Sequence, residues 1–373
     1  MMMQPKYATV NGIKIRYLLE IPEAMKKSQC TEMKESLSSQ RVVVLTPGGR
    51  AGGIGNCAFS GLRKALLKEG ISVLTWDRRN SGESDISFRF QQHGTASRAE
   101  QDASDLYELI RSLSLDKVSL AGASAGGRMT LAFVAKYPDL VEQVLLQNLT
   151  GGKKAAEKLS KSYFDSVVSI AKEGGMEAVA KLDPYYSKLL SRGLPSLQQR
   201  RWTQVVQTSL ENEFLPAMKR SREFLWRAID PVLGFSEKML SEIANGSISF
   251  ILVYSRSSCD GMHTRGVMQA LSKALGGDIP ILDNPKGRIW VPKAVQFFAS
   301  GSSFAEKKMI ANIPKNVEKE KQMNKINVNC TLATVASNFG DFRDETSKTK
   351  SKDKLDLRES EKCRAPCCQS TCD

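Results

Sequence analysis

Residues 118–130 read VSLAGASAGGRMT, and the five residues Gly122-Ala123-Ser124-Ala125-Gly126 inside this run constrain the fold more than any other feature of the chain. An apolar, strand-like stretch (Val118 to Ala121) precedes them and an amphipathic helical stretch (Ala125 to Lys136) follows. Glycines two residues either side of a serine fit a sharp strand-to-helix bend, because side chains at those positions would collide there. The serine at the tip takes a strained backbone conformation and is lifted above the end of a sheet. Behind it, the helix N-terminus aims backbone N–H groups at any negative charge that develops.

The flanking sequence supplies the sheet. Residues 7–20 predict two short strands around an Asn11-Gly12 turn, a strong hairpin signal. The polar, Ser/Lys-rich residues 23–40 predict a loop. Val42 to Thr46 is a continuous apolar run, as in a strand covered on both faces. A Gly-rich stretch, Pro47 to Gly53, follows, then a helix over about 57–69 that stops at Gly70. Further strands are expected at 71–76, 118–121 and 141–147, with helical periodicity over 98–114 between the first two. Alternating strands and helices with short connections predict an α/β fold, a mainly parallel sheet with helices on both faces. The pattern breaks over 151–246, which is helical, aromatic and nearly free of strand-like runs, and reads as a lid inserted between two strands. It resumes with a strand at 249–254, a helix near 264–275, a strand at 280–283 and a helix near 292–300. The expected organisation is therefore a core of 1–150 and 247–300, a lid of 151–246, and a tail of 301–373. Lys, Glu, Ser and Asn dominate the tail, which has too little apolar surface to offset its ordering entropy and is expected to be disordered.

On four segments the chain resembles the α/β-hydrolase superfamily, over about residues 7–300. They are Pro47-Gly48-Gly49, where the family carries its oxyanion loop; Trp76-Asp77-Arg78-Arg79-Asn80-Ser81-Gly82-Glu83-Ser84, similar to the family's D-x-R-x-x-G-x-S turn; the bend Gly122–Gly126; and Leu252 to Asp260, where the family places its triad acid. The resemblance implies Ser124 as a nucleophile and an oxyanion site made of the Ala125 N–H with that of Gly48 or Gly49. It implies Asp260 as the acid, with the capping of the next helix as that residue's structural alternative.

The base departs from the family pattern. The loop after the last strand, 284–291 (NPKGRIWV), contains no histidine, only Lys286 and Arg288 near the expected place. Arg stays protonated, and Lys serves as a base only when burial lowers its pKa strongly. The chain has two histidines, His93 and His263. His263, three residues after Asp260, leaves the same sheet edge as Ser124 and is the candidate base; His93, in the polar loop 86–97, is the alternative. Two functions stand side by side. One is a serine hydrolase of esters, lactones or similar carbonyls of a small, partly apolar substrate. The other is a catalytically impaired homologue that binds a ligand or partner. Arg128 reads as a surface or lid-pairing cation, with contact to an acidic substrate as the alternative. Tyr185, Tyr186, Trp202 and Trp226 read as lid packing or pocket lining.

Charge and cysteine usage bound the partners. The net charge is +14, from 54 Lys and Arg against 40 Asp and Glu, but the cations are scattered among acids with no interleaved stacking aromatics, so no nucleic-acid partner is expected. No window approaches the roughly 18 apolar residues of a membrane span, and the N-terminal residues lack the apolar run of a signal peptide. A cytoplasmic location with free thiols is expected for the eight cysteines. Cys363, Cys367, Cys368 and Cys372 do not follow zinc spacing, and no metal or cofactor is expected. A homodimer through the lid surface stays open beside a monomer.

Overall fold

The computed structural model describes residues 4–23, 40–50, 53–90, 96–244, 247–255, 261–277, 279–284 and 290–300. His93, Asp260, Lys286, Arg288 and the tail 301–373 with its cysteines lie outside the described residues.

Asn11 and Gly12 both take positive φ (48° and 74°), the backbone of a tight primed turn. They join β1 (Lys6–Val10) to β2 (Ile13–Glu20), which pairs antiparallel with β4 (Ser72–Trp76). The rest of the sheet is parallel: β3 (Val42–Thr46), β5 (Val118–Ala123), β6 (Val141–Gln147), β7 (Ser249–Ser255) and β8 (Ile281–Asn284). The eight strands lie in the order β1-β2-β4-β3-β5-β6-β7-β8.

Strand side chains alternate between the faces, so each apolar run serves two cores. Val42, Val44, Leu120, Val144, Leu146 and Leu252 face α2 (Arg98–Ser112) and α3 (Ala125–Lys136). Val43, Leu45, Ala121, Leu145, Ile251 and Val253 face α1 (Ser60–Lys68), entered through a single 3₁₀ turn at Cys57–Phe59. Fully burying one such Val, Leu or Ile is worth about 1.5–3 kcal/mol. This two-sided burial is why the strands read as unbroken apolar runs.

Between β6 and β7 the chain is helical: α4 (Lys153–Ser160), α5 (Ser166–Leu182), α6 (Pro184–Leu190), α7 (Pro195–Val206), α8 (Leu215–Arg227) and α9 (Glu237–Ala244), with π-helical turns at Lys161–Asp165 and Leu210–Phe214. This insertion has its own core, in which Val179, Tyr186, Val205 and Phe214 pack with Ile86 and Phe88 from the loop after β4. Polar contacts pin it to that loop. Ile86 N–H donates to Gln204 Oε1 at 2.9 Å, and the buried Arg201 guanidinium donates to the carbonyls of Gly82 and Ser84. After β7, α10 (Arg265–Ala274) adds Met268 and Leu271 to the first core, and α11 (Val291–Ala299) adds Phe297 and Phe298 to the second. Among the described residues no helix is long and apolar enough to cross a membrane.

Candidate active site

The C-terminal ends of β3, β5, β6 and β7 open on one edge of the sheet, the place where open α/β sheets bind ligands. The bend after β5 has the geometry that its sequence predicts. Ser124 sits at φ 49°, ψ −114°, a conformation that costs a non-glycine residue of the order of 1–3 kcal/mol. Its N–H donates to Gln147 O at 2.9 Å, which fastens the bend to the end of β6. A Cβ on Gly126 would stand 2.1 Å from Thr46 O, and one on Gly122 would stand 2.3 Å from Thr130 Oγ1. Neither position has room for a side chain. The loop after β3 crosses beside the bend, so close that a Cβ on Gly48 would lie 2.9 Å from Ser124 Cβ.

The sheet edge brings an imidazole to the serine. His263, between β7 and α10, places Nε2 2.9 Å from Ser124 Oγ. The next residue anchors it: Thr264 caps α10, its hydroxyl accepting from Val267 N–H at 3.3 Å. Thr264 thus fills the capping position that the sequence offered as Asp260's alternative.

Gly49, in the loop after β3, and Ala125, the first residue of α3, line a cleft enclosing about 660 Å³ of space between atoms, part of it open to solvent. Tyr163, Phe164 and Phe224 of the insertion form apolar walls. The cations of the cleft come from four places: Arg50 after β3, Arg78 after β4, Arg98 at the start of α2, and Arg128 in the first turn of α3. A capping box fixes the start of α2. Ser97 Oγ accepts from Glu100 N–H, and Glu100 Oε2 accepts from Ser97 N–H at 2.7 Å. Arg98 and Asp102 thereby face the cleft.

The cations are held unevenly. Arg78 Nη2 donates to Gly49 O at 2.6 Å, tying the loop beside Ser124. Its Nη1 lies 3.4 Å from Asp102 Oδ2, and Arg98 Nε lies 3.8 Å from the same oxygen. Burial pushes the Asp102 carboxyl up, against the pull of Arg98 and Arg78, and pushes Arg78 down, against that of Asp102. The Arg50 guanidinium stands 4.3 Å over the Tyr185 ring and 3.8 Å from Asp183. The Tyr185 hydroxyl, pushed up to about 12 by burial, is shared between the carbonyls of Arg50 (2.7 Å) and Asn80. Arg128, read from sequence as a surface or lid-pairing cation, is instead buried at 6% exposure and donates to the Thr150 hydroxyl. Burial pushes it down to about 10.

Of the conspicuous aromatics, Tyr186 lines the cleft, Trp202 has the Lys181 ammonium 5.8 Å over its ring, and Trp226 is 38% exposed with its Nε1 donating to Ser160 Oγ. Beyond Arg78, the turn after β4 is held by internal contacts. Asp77 accepts from Ile54 N–H and Glu83 N–H, and Arg79 forms a buried two-pronged pair with Asp105 at 2.6 and 2.7 Å.

The family described as alpha/beta hydrolase fold matches residues 42–215. Three curated relatives show where the likeness runs. Serine hydrolase BPHL of Homo sapiens is 30% identical over 140 residues, 37% of this chain and 40% of the relative. A putative 2-succinyl-6-hydroxy-2,4-cyclohexadiene-1-carboxylate synthase of Bacillus subtilis is 36% identical over 73 residues, 20% and 25% of the two chains. A 2-hydroxy-6-oxononadienedioate/2-hydroxy-6-oxononatrienedioate hydrolase of Klebsiella pneumoniae is 27% identical over 156 residues, 42% and 50%. The chain thus spans half or less of the length of these relatives. With the sheet order and the match over 42–215, the chain has the α/β-hydrolase fold.

Proposed function

We propose that the chain is a serine hydrolase acting on an ester, lactone or similarly activated carbonyl of a small substrate. The observation that carries this reading is the 2.9 Å contact between His263 Nε2 and Ser124 Oγ at a strained, glycine-flanked bend. A weakly acidic hydroxyl becomes a nucleophile when a base stands within hydrogen-bond reach of it. In the proposed reaction Ser124 Oγ attacks the carbonyl and its proton passes to His263 Nε2. The Gly49 and Ala125 N–H groups hold the oxyanion. His263 returns the proton to the leaving alcohol, and water then releases the acyl group from Ser124 by the same route. Asp260, three residues before His263 in sequence, is the proposed partner that holds the imidazole and balances its charge. Such constellations are defined by geometry and roles rather than by chain order, so a histidine from the β7 loop serves as well as one after the last strand. The helical insertion acts as the lid that shapes the cleft. The name of the human relative, a serine hydrolase, supports the reading.

Labelling with a fluorophosphonate probe and turnover of 4-nitrophenyl acetate test it. The unmodified protein is expected to label and to turn over the ester. Ser124→Ala abolishes labelling, and both Ser124→Ala and His263→Ala lower kcat by roughly 10³-fold or more. The same background rate in all three proteins would leave a ligand-binding homologue instead.

A further inference from the structure

The proposed chemistry at Ser124 does not account for the cations around its cleft. Arg128 is 6% exposed, lines the cleft, and donates to a neutral hydroxyl, that of Thr150. Among the described residues no carboxylate pairs with it. The nearby carboxylate, Asp102, is divided between Arg78 and Arg98, and the buried Nε of Arg78 lacks an acceptor. Three guanidinium groups thus share one acid in a site screened from water, where removing an ion from solvent without a partner is costly. The cleft is short of negative charge.

We propose that the cleft takes a substrate carrying a carboxylate on its acyl side, with Arg128 as the anchor and Arg78 and Arg98 adding to the positive field. The guanidinium fork suits the two oxygens of a carboxylate. Ala125 and Arg128 are three residues apart at the start of α3 and both line the cleft. Positions so spaced lie about 5–6 Å apart on a helix face. In this arrangement the substrate carries its carboxylate a few bonds from the carbonyl held at the Ala125 N–H, the span of a hemi-ester of a short dicarboxylic acid. Tyr163 and Phe164 cover the carbon chain between the two groups.

The proposal rests on the serine-hydrolase reading for its chemistry but not for its anion site, and the test separates the two. Monomethyl succinate and methyl 4-methylpentanoate have nearly the same shape, and differ in that one ends in a carboxylate and the other in two methyl groups. In the full-length protein the kcat/KM ratio of the two, followed by acid release, is expected to favour monomethyl succinate by about 10- to 100-fold. Arg128→Met is expected to erase most of that preference, and Arg128→Lys to keep part of it. Thermal melting checks that both variants fold. A ratio near one in the unmodified protein, or a ratio unmoved in Arg128→Met, overturns the anion site and leaves the hydrolase intact. If neither ester is turned over, calorimetric titration with succinate decides. Binding to the unmodified protein and to Ser124→Ala, lost in Arg128→Met, supports the anion site while the hydrolase reading falls. No binding to any of them overturns the anion site as well.

Discussion

A guanidinium held at 6% exposure against a threonine hydroxyl works against folding. Burial pushes Arg128 down to about 10, while the same side chain in an unfolded chain keeps its ordinary, higher value. Below about pH 10 the group is charged in both states, so the burial penalty is present in full. It is relieved only as pH climbs from there towards the unfolded value. Replacing a buried charge by an apolar side chain of similar size is often stabilising by about 1–4 kcal/mol. Arg128→Met is therefore expected to melt some 2–8 °C above the unmodified protein, with a gap that stays constant over roughly pH 6–9. Scanning calorimetry in buffers free of carboxylates checks both statements. A gap that changed steadily across that range would mean that another group sets the charge of the site. The sequence showed this arginine one turn past the bend but could not say which way it pointed. Arg50, Arg78 and Arg98 were just as opaque, because they meet in one cleft only after two loops and a helix have been brought together.

The turn after β4 shows what a single element owes to its neighbours. Asp105, on α2, accepts both prongs of Arg79, the Nδ2 of Asn11 at the hairpin turn, and Gln101 Nε2. One carboxylate thus joins the antiparallel edge, the turn and a core helix. Removing it strands a guanidinium that is almost wholly out of solvent. Asp105→Ala is expected to cost about 3–5 kcal/mol in urea denaturation, well beyond an ordinary surface substitution. The elements themselves were legible because their signals are local. Asn11-Gly12 marks a primed turn, unbroken apolar runs mark two-sided strands, and the glycines around Ser124 mark the bend. The Arg79–Asp105 pair was not legible, since nothing in a separation of 26 residues specifies a partner. The fine structure of α1 also escaped: the chain enters it through a 3₁₀ turn and becomes α-helical only at Ser60.

At the scale of the whole molecule, the sheet edge assembles residues spread from Gly48 to His263. The insertion is clamped above that edge by Tyr185 on the Arg50 and Asn80 carbonyls, by Arg201 on the turn after β4, and by Ser221, whose hydroxyl accepts from Arg98 N–H at 3.1 Å. The described elements end at Ala299, and Met1–Phe304 forms a compact unit of its own. A chain stopped after Phe304 is accordingly expected to keep its melting temperature within about 2 °C and its 4-nitrophenyl acetate turnover within about twofold. A large loss of either would assign the residues beyond 304 a part in the fold or the site. The candidate site was legible in unequal parts: the closeness of Ser124 and Gly48 from motif and context, the approach of His263 chiefly because the chain has so few histidines to offer.

The placement of His263 between β7 and a capped helix has one more consequence. In the proposed assignment the proton acceptor and its acidic partner stand three residues apart in sequence after the same strand. That assignment asks nothing of the connection after β8 in the chemistry. Insertions or exchanges there become a route by which such a chain can diversify its outer rim while the reaction beneath goes on unaltered.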